Sequence, residues 1–205
     1  MPNWTTNHVE ITGSKENIAT LISDTKLGFE VGDTEFDFKG IVPMPDALNI
    51  ESGSSTDLGL AAHDDEAFRY TSSFPWFRDR YPDAKTREEF ASTLEDKQPE
   101  VYNIGKVAFK NKQEYGYATW YEWKNARWGT KWGASHAVLT VAPSDTRVVL
   151  SFDTPWVAPV PIFDALEERG LSVRAVSVHE GGEEPTSYGD AWEVFSTWTE
   201  VQYVG

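Results

Sequence analysis

Period-two alternation near both ends of the 205-residue chain, helical periodicity through its middle and a polar break between them predict an α+β fold. Residues 7–13 alternate polar and apolar side chains and stop at a glycine, which reads as a strand. Ser14 is placed to cap a helix, and Ile18, Leu21 and Ile22 at helical spacing predict that helix over 15–25. Residues 36–42 alternate again until Pro43-Met44-Pro45 ends them, so the chain opens β-α-β. Residues 49–57 are a polar, serine-rich loop. From 64 to 96 the pattern is helical, broken at Pro75 and Pro82, with Phe74, Trp76, Phe77 and Tyr81 as apolar anchors. Residues 99–125 read as further helix that places Tyr117, Trp120, Tyr121, Lys124 and Trp128 on one face and stops at Gly129.

Strand character resumes at 137–142 and 147–153, joined by Pro143-Ser144-Asp145-Thr146 as a hairpin. Pro159 and Pro161 open a helix over 162–169 that Gly170 closes. Residues 171–179 alternate as a strand, 180–184 form a turn, and 191–198 are expected to be the last strand. Together these elements predict a ferredoxin-like antiparallel sheet with helices on one face, built from residues 1–45 and 136–205. A mainly helical insertion over 46–135 interrupts it and is expected to pack on the same core.

Composition narrows the function classes. The chain has no cysteine, which excludes disulfides, thiolate metal sites and cysteine nucleophiles. The start lacks a basic, then apolar, leader and no stretch approaches eighteen apolar residues, so a soluble, cytoplasmic protein without a membrane span is expected. A net charge of −15 opposes binding to nucleic acid and to anionic membranes. That charge is uneven: residues 101–135 carry six basic side chains against two acidic ones.

The same region holds four of the nine tryptophans within residues 120–132, Trp120, Trp123, Trp128 and Trp132, interleaved with Lys124, Arg127 and Lys131. Aromatic faces accept stacked bases, and cations beside them would hold phosphates. The competing reading is architectural, since tryptophans on one helix face bury large areas. Helical spacing and the Gly129 stop predict that most of these rings pack inward, leaving a cationic edge of Lys124, Arg127 and Lys131. A second candidate is a cleft at strand ends, where Asp153, His179 and Glu180 could meet for acid–base chemistry; a hydrogen-bonded structural histidine is the alternative. His8, His63, His136 and His179 lack metal-ligand spacing, and no phosphate-cradling glycine motif is present, so neither metal nor cofactor is expected.

Several stretches together resemble the YubB-like family of phage- and plasmid-encoded proteins: Met1-Pro2-Asn3-Trp4 with Asn7, residues 40–45, the Trp128-Gly129-Thr130-Lys131-Trp132 core, Phe152-Asp153-Thr154-Pro155-Trp156 with Pro159, and His179-Glu180-Gly181-Gly182. Thr5 stands where the pattern has a cysteine, and residues 183–188 are longer and more acidic than it. The resemblance implies a ferredoxin-like domain and a mobile genetic element, and carries no catalytic residue. The expected function is a non-enzymatic binding protein in the host bacterial cytoplasm, an accessory or counter-defence factor engaging a host protein. The alternatives are nucleotide or single-stranded nucleic-acid binding at the Trp/Lys segment, including sequestration of a signalling nucleotide, and an acidic mimic of nucleic acid.

Overall fold

The computed structural model describes residues 3–182 and 184–191. In chain order the elements are β1 (Trp4–Thr12), α1 (Lys15–Thr25), β2 (Gly32–Asp33), α2 (Ser54–Ala61), α3 (Asp65–Ser72), α4 (Pro75–Arg80), α5 (Arg87–Lys97), α6 (Pro99–Tyr115), α7 (Trp120–Arg127), β3 (Ser135–Ser144), β4 (Arg147–Pro155), α8 (Val160–Glu168), β5 (Ser172–His179) and β6 (Thr186–Tyr188). The fold is α+β and divides into two compact units, residues 1–43 with 124–205, and residues 44–123. The first boundary falls after Pro43. The second falls inside α7, so residues 124–135 join the sheet unit instead of the insertion, because Trp128 is anchored to Val42 and Trp132 to Trp156.

The sheet unit is a six-stranded antiparallel sheet in the order β2-β3-β4-β1-β5-β6. Its inner path β1-α1-β3-β4-α8-β5, with β1 between β4 and β5, is the ferredoxin-like arrangement, to which β2 and β6 are added as short edges. Alternation puts Thr5, Asn7, Val9 and Ile11 of β1 on one face, opposite Thr154, Phe152, Leu150 and Val148 of β4, all of them buried. This is the helix-covered face: Phe163 of α8 meets Tyr188, the register partner of Ala175. Ile18, Leu21 and Ile22 of α1 and Ile162, Phe163 and Leu166 of α8 are buried. α1 begins at the expected cap, where the Ser14 hydroxyl accepts from the Asn17 N–H.

Residues 36–42 do not form the expected strand. The Asp37 carboxylate accepts from the Lys39 N–H, its own N–H goes to the Thr25 carbonyl, and a 3-10 turn over Phe38–Gly40 results. A short acidic side chain that binds local backbone competes with ladder pairing. The alternation still marks core residues, because Phe36 and Phe38 pack against Phe152 at 5.2 and 5.8 Å. The edges β2 and β6 were not expected, being too short to show periodicity, and the expected strand over 191–198 lies outside the described residues from 192 onward.

In the helical unit, Leu58, Ala61, Ala62, Phe77, Tyr81, Ala84, Phe90 and Leu94 form one core. α2 begins at Ser54, inside the stretch expected to be loop. It meets α6 through facing glycines: a Cβ on Gly105 would lie 2.0 Å from the Gly59 carbonyl carbon. The helix expected over 99–125 is broken, because Gly116 adopts φ +80° and caps α6. Two local devices fix helix starts: a capping box between Thr86 and Glu89 for α5, and the Asp64 carboxylate accepting from the Ala67 N–H for α3.

Candidate recognition site at one end of the sheet

Antiparallel pairing brings the start of β1, the start of β3, and the ends of β4 and β5 to a single end of the sheet, where Trp4 pairs with Pro155, Ser135 with Asp153 and Thr5 with His179. Three tryptophans and a histidine gather there. Trp132 stacks on Trp156 with centroids 6.1 Å apart and planes 30° apart, Trp4 lies 6.5 Å from Trp132, and His136 meets Trp4 edge-on at 5.9 Å. The Lys131 ammonium sits 4.9 Å from the Trp132 centroid and 5.9 Å from that of Trp156, within cation–π range. Trp132 is 38% exposed and Trp156 48%, so the stacked pair faces solvent.

Backbone strain marks the same place. Among the described residues three non-glycines have positive φ, and two of them are His136 (49°) and Trp156 (67°). Such residues cost of order 1–3 kcal/mol each and persist where the surroundings over-determine them. For Trp156 the determinants are visible: its N–H donates to the Asn3 carbonyl at 2.8 Å, and the Thr154 hydroxyl donates to the Val157 carbonyl at 2.7 Å. Beneath this end lies a buried polar network centred on Asn7, whose amide donates to the Thr5 and Phe152 carbonyls and the Thr154 hydroxyl and accepts from Ser177.

The sequence-predicted segment divides between two roles. Trp123 and Trp128 are buried, and Trp120 is half-buried with its ring edge-on to Tyr121. The Trp128 indole N–H donates to the Val42 carbonyl at 2.9 Å and its ring meets Phe38 edge-on. Trp132 alone of the four belongs to the exposed cluster. The three cations do not share an edge either. Lys124 lies 4.8 Å over the Trp128 ring, and burial with help from Lys39 pushes its ammonium below the usual lysine pKa. Arg127 lines a recess of about 200 Å³ beside Asp164 and Glu168, and Lys131 stays with the exposed rings.

The expected cleft of Asp153, His179 and Glu180 does not assemble. Asp153 is the register partner of Thr6 and His179 that of Thr5, so the two side chains leave opposite faces of the sheet. The His179 Nδ1 lies 3.0 Å from the Thr5 hydroxyl, and the Glu180 carboxylate accepts the Trp4 N–H at 2.8 Å. Asp153 instead pairs with His136 at 3.1 Å and accepts from the Thr6 hydroxyl at 2.8 Å. On that face burial lowers the pKa of His8, with Asp153 opposing. Among the described residues no group of three or more His, Asp or Glu is placed to hold a metal ion.

Sequence reasoning missed Trp4, His136 and Trp156 as site residues. Trp4 and Trp156 each stand in a motif quoted above; the expected hairpin already carries Trp156 toward Trp132, whereas Trp4 arrives only through the long-range β1–β4 pairing.

Neither a protein-family model nor a curated protein matches the sequence. A solved structure similar to it is the crystal structure of a protein api92 from Yersinia pseudotuberculosis, of the family model DUF1281. The two are 12% identical, the alignment covers 92% of this chain and 99% of that one, and the TM-score is 0.41.

Proposed function

We propose that this is a non-catalytic binding protein that recognises a partner protein through Trp132, Trp156 and Lys131, flanked by Trp4 and His136. The observation that carries the reading is the solvent-facing Trp132–Trp156 stack with a lysine across both rings. Tryptophan is among the residues most enriched in interface hot spots. The strained backbone at Trp156 and His136 supports the same reading, since it holds side chains in place before a partner arrives. The net charge of −15 and the separate surroundings of Lys124 and Arg127 leave little basic track for a polyanion. The resemblance to YubB-like proteins supports a phage or plasmid setting, with the partner a host protein in the bacterial cytoplasm and the role accessory or counter-defence. The test is affinity capture from bacterial lysate with the wild type and with Trp132→Ala and Trp156→Ala. A partner held by the wild type and lost from both variants is expected; equal recovery from all three would refute it.

A second reading is stacking of a nucleotide or single-stranded nucleic acid on the same pair, which the 30° stack and its lysine also support. It requires tryptophan fluorescence quenching by oligonucleotides that weakens with salt and disappears in Trp132→Ala; flat titrations at low salt remove it.

A further inference from the structure

The helical unit exposes aromatic surface of its own. Tyr70 of α3 is 69% exposed, Trp76 of α4 44%, and Phe74 between them 37%, while Phe77 beside them is buried in the core. Tyr70 and Phe74 meet at 5.1 Å with planes 87° apart, and Phe74 and Trp76 stack at 6.4 Å with planes 18° apart. The three rings therefore form a corner with walls at right angles. They line a cavity of about 430 Å³, of the size that takes a small ligand. Asp57 of α2, Arg80 and Gln98 are among its polar lining.

We propose that this groove is a second binding site, for an alkylammonium cation held between the Tyr70, Phe74 and Trp76 rings and the Asp57 carboxylate. Ring faces carry negative quadrupole charge, and methylated ammonium groups are weakly hydrated, so they give up little on entering an aromatic corner. Asp57 adds directed attraction. Partial desolvation at the groove and the neighbouring Glu122 carboxylate raise its pKa, so the ionised form sits in a negative field that a bound cation relieves. Gln98 is committed to the wall, donating to the Tyr81 hydroxyl at 2.9 Å. An anion would gain Arg80 but would face the Asp57 carboxylate. The site lies wholly within residues 44–123 and stands or falls separately from the tryptophan pair of the sheet unit.

The test is a titration of the full chain with choline, with its neutral isostere 3,3-dimethylbutanol, and with a peptide bearing trimethyllysine, followed by NMR at the indole N–H signals. Choline or the peptide is expected to shift the Trp76 signal and the alcohol to bind at least several-fold more weakly. Tyr70→Ala and Asp57→Asn are expected to weaken cation binding, read at the retained Trp76 signal, by roughly three- to thirtyfold, as loss of a cation–π or charge contact does, with Trp132→Ala unchanged. Both positions are exposed, and circular dichroism checks that each variant is folded. Tighter binding of the peptide assigns the cation to a modified protein, and equal binding to a free small molecule; either supports the site. Equal binding of the alcohol, a shift that survives both groove variants, or no shift at Trp76 with either cation would overturn it.

Discussion

Replacing Asn7 with alanine removes the side chain that joins β1, β4 and β5 at the end of the sheet bearing the exposed tryptophans. Asn7 is fully buried, and its amide donates at 3.1 Å to Thr5, 3.2 Å to Phe152 and 2.9 Å to the Thr154 hydroxyl, and accepts from the Ser177 hydroxyl at 2.8 Å. In the variant Thr154 keeps its donation to the Val157 carbonyl, but Ser177, itself buried, loses its acceptor. A stranded buried donor costs about 1–3 kcal/mol and each lost bond about 1 kcal/mol net, so the whole change is expected to be about 3–5 kcal/mol. Adding Ser177→Ala removes the stranded hydroxyl and should restore about 1–2 kcal/mol, a non-additivity expected of groups in one network. The assay is equilibrium urea unfolding read at the amides of β1, β4 and β5, because two compact units need not unfold in one step. A single-variant loss below about 1 kcal/mol, or strictly additive variants, would refute the network's role.

Four further outcomes follow from the geometry. Trp132→Ala and Trp156→Ala should each abolish partner capture while costing about 1–2 kcal/mol of stability, since each ring is only partly covered; a loss above about 3 kcal/mol would make the pair mainly architectural. Gly105→Ala forces a Cβ into the Gly59 backbone and should cost about 1–3 kcal/mol or more, seen as a lower melting temperature of the helical unit; an unchanged melt would contradict the close helix approach. Burial by itself would raise the pKa of Asp64, but the Ala67 N–H and the Lys112 ammonium together hold it below the usual value. A carboxylate with a depressed folded pKa contributes stability present above its unfolded pKa of about 4 and lost as pH falls through the folded one. Asp64→Ala should therefore flatten the acid limb of the stability curve, and an unaltered limb would dismiss the pair. Lys131→Gln should weaken partner capture less than either tryptophan variant, because an exposed cation–π contact is worth only about 0.5–1 kcal/mol.

Much of the fold could be read locally. The Ser14 cap, the 15–25 helix, the hairpin, the stop at Gly170 and the alternating strand before His179 all depend on residues a few positions apart, and all appear as expected. Where reading failed, a local competitor or a distant neighbour intervened. Asp37 diverted the 36–42 stretch into a turn, Gly116 cut the long helix, and Phe74 and Trp76 met too little of the core to be anchors. The site was only partly legible. Density drew attention to residues 120–132, yet density does not separate Trp128, which is tied to Val42, from Trp132, which faces out.

Composition and short-range pattern by themselves determined an acidic α+β chain, a ferredoxin-like strand–helix order and a tryptophan-dense segment. Only the tertiary structure decided which tryptophans are displayed: the β3–β4 hairpin carries Trp156 to Trp132, and β1, inserted between β4 and β5, adds Trp4. That long-range register brings Trp4 to the hairpin's pair from the far end of the chain. It also sends Asp153 and His179 to opposite faces, because neighbouring residues of a strand point opposite ways and their register partners must follow.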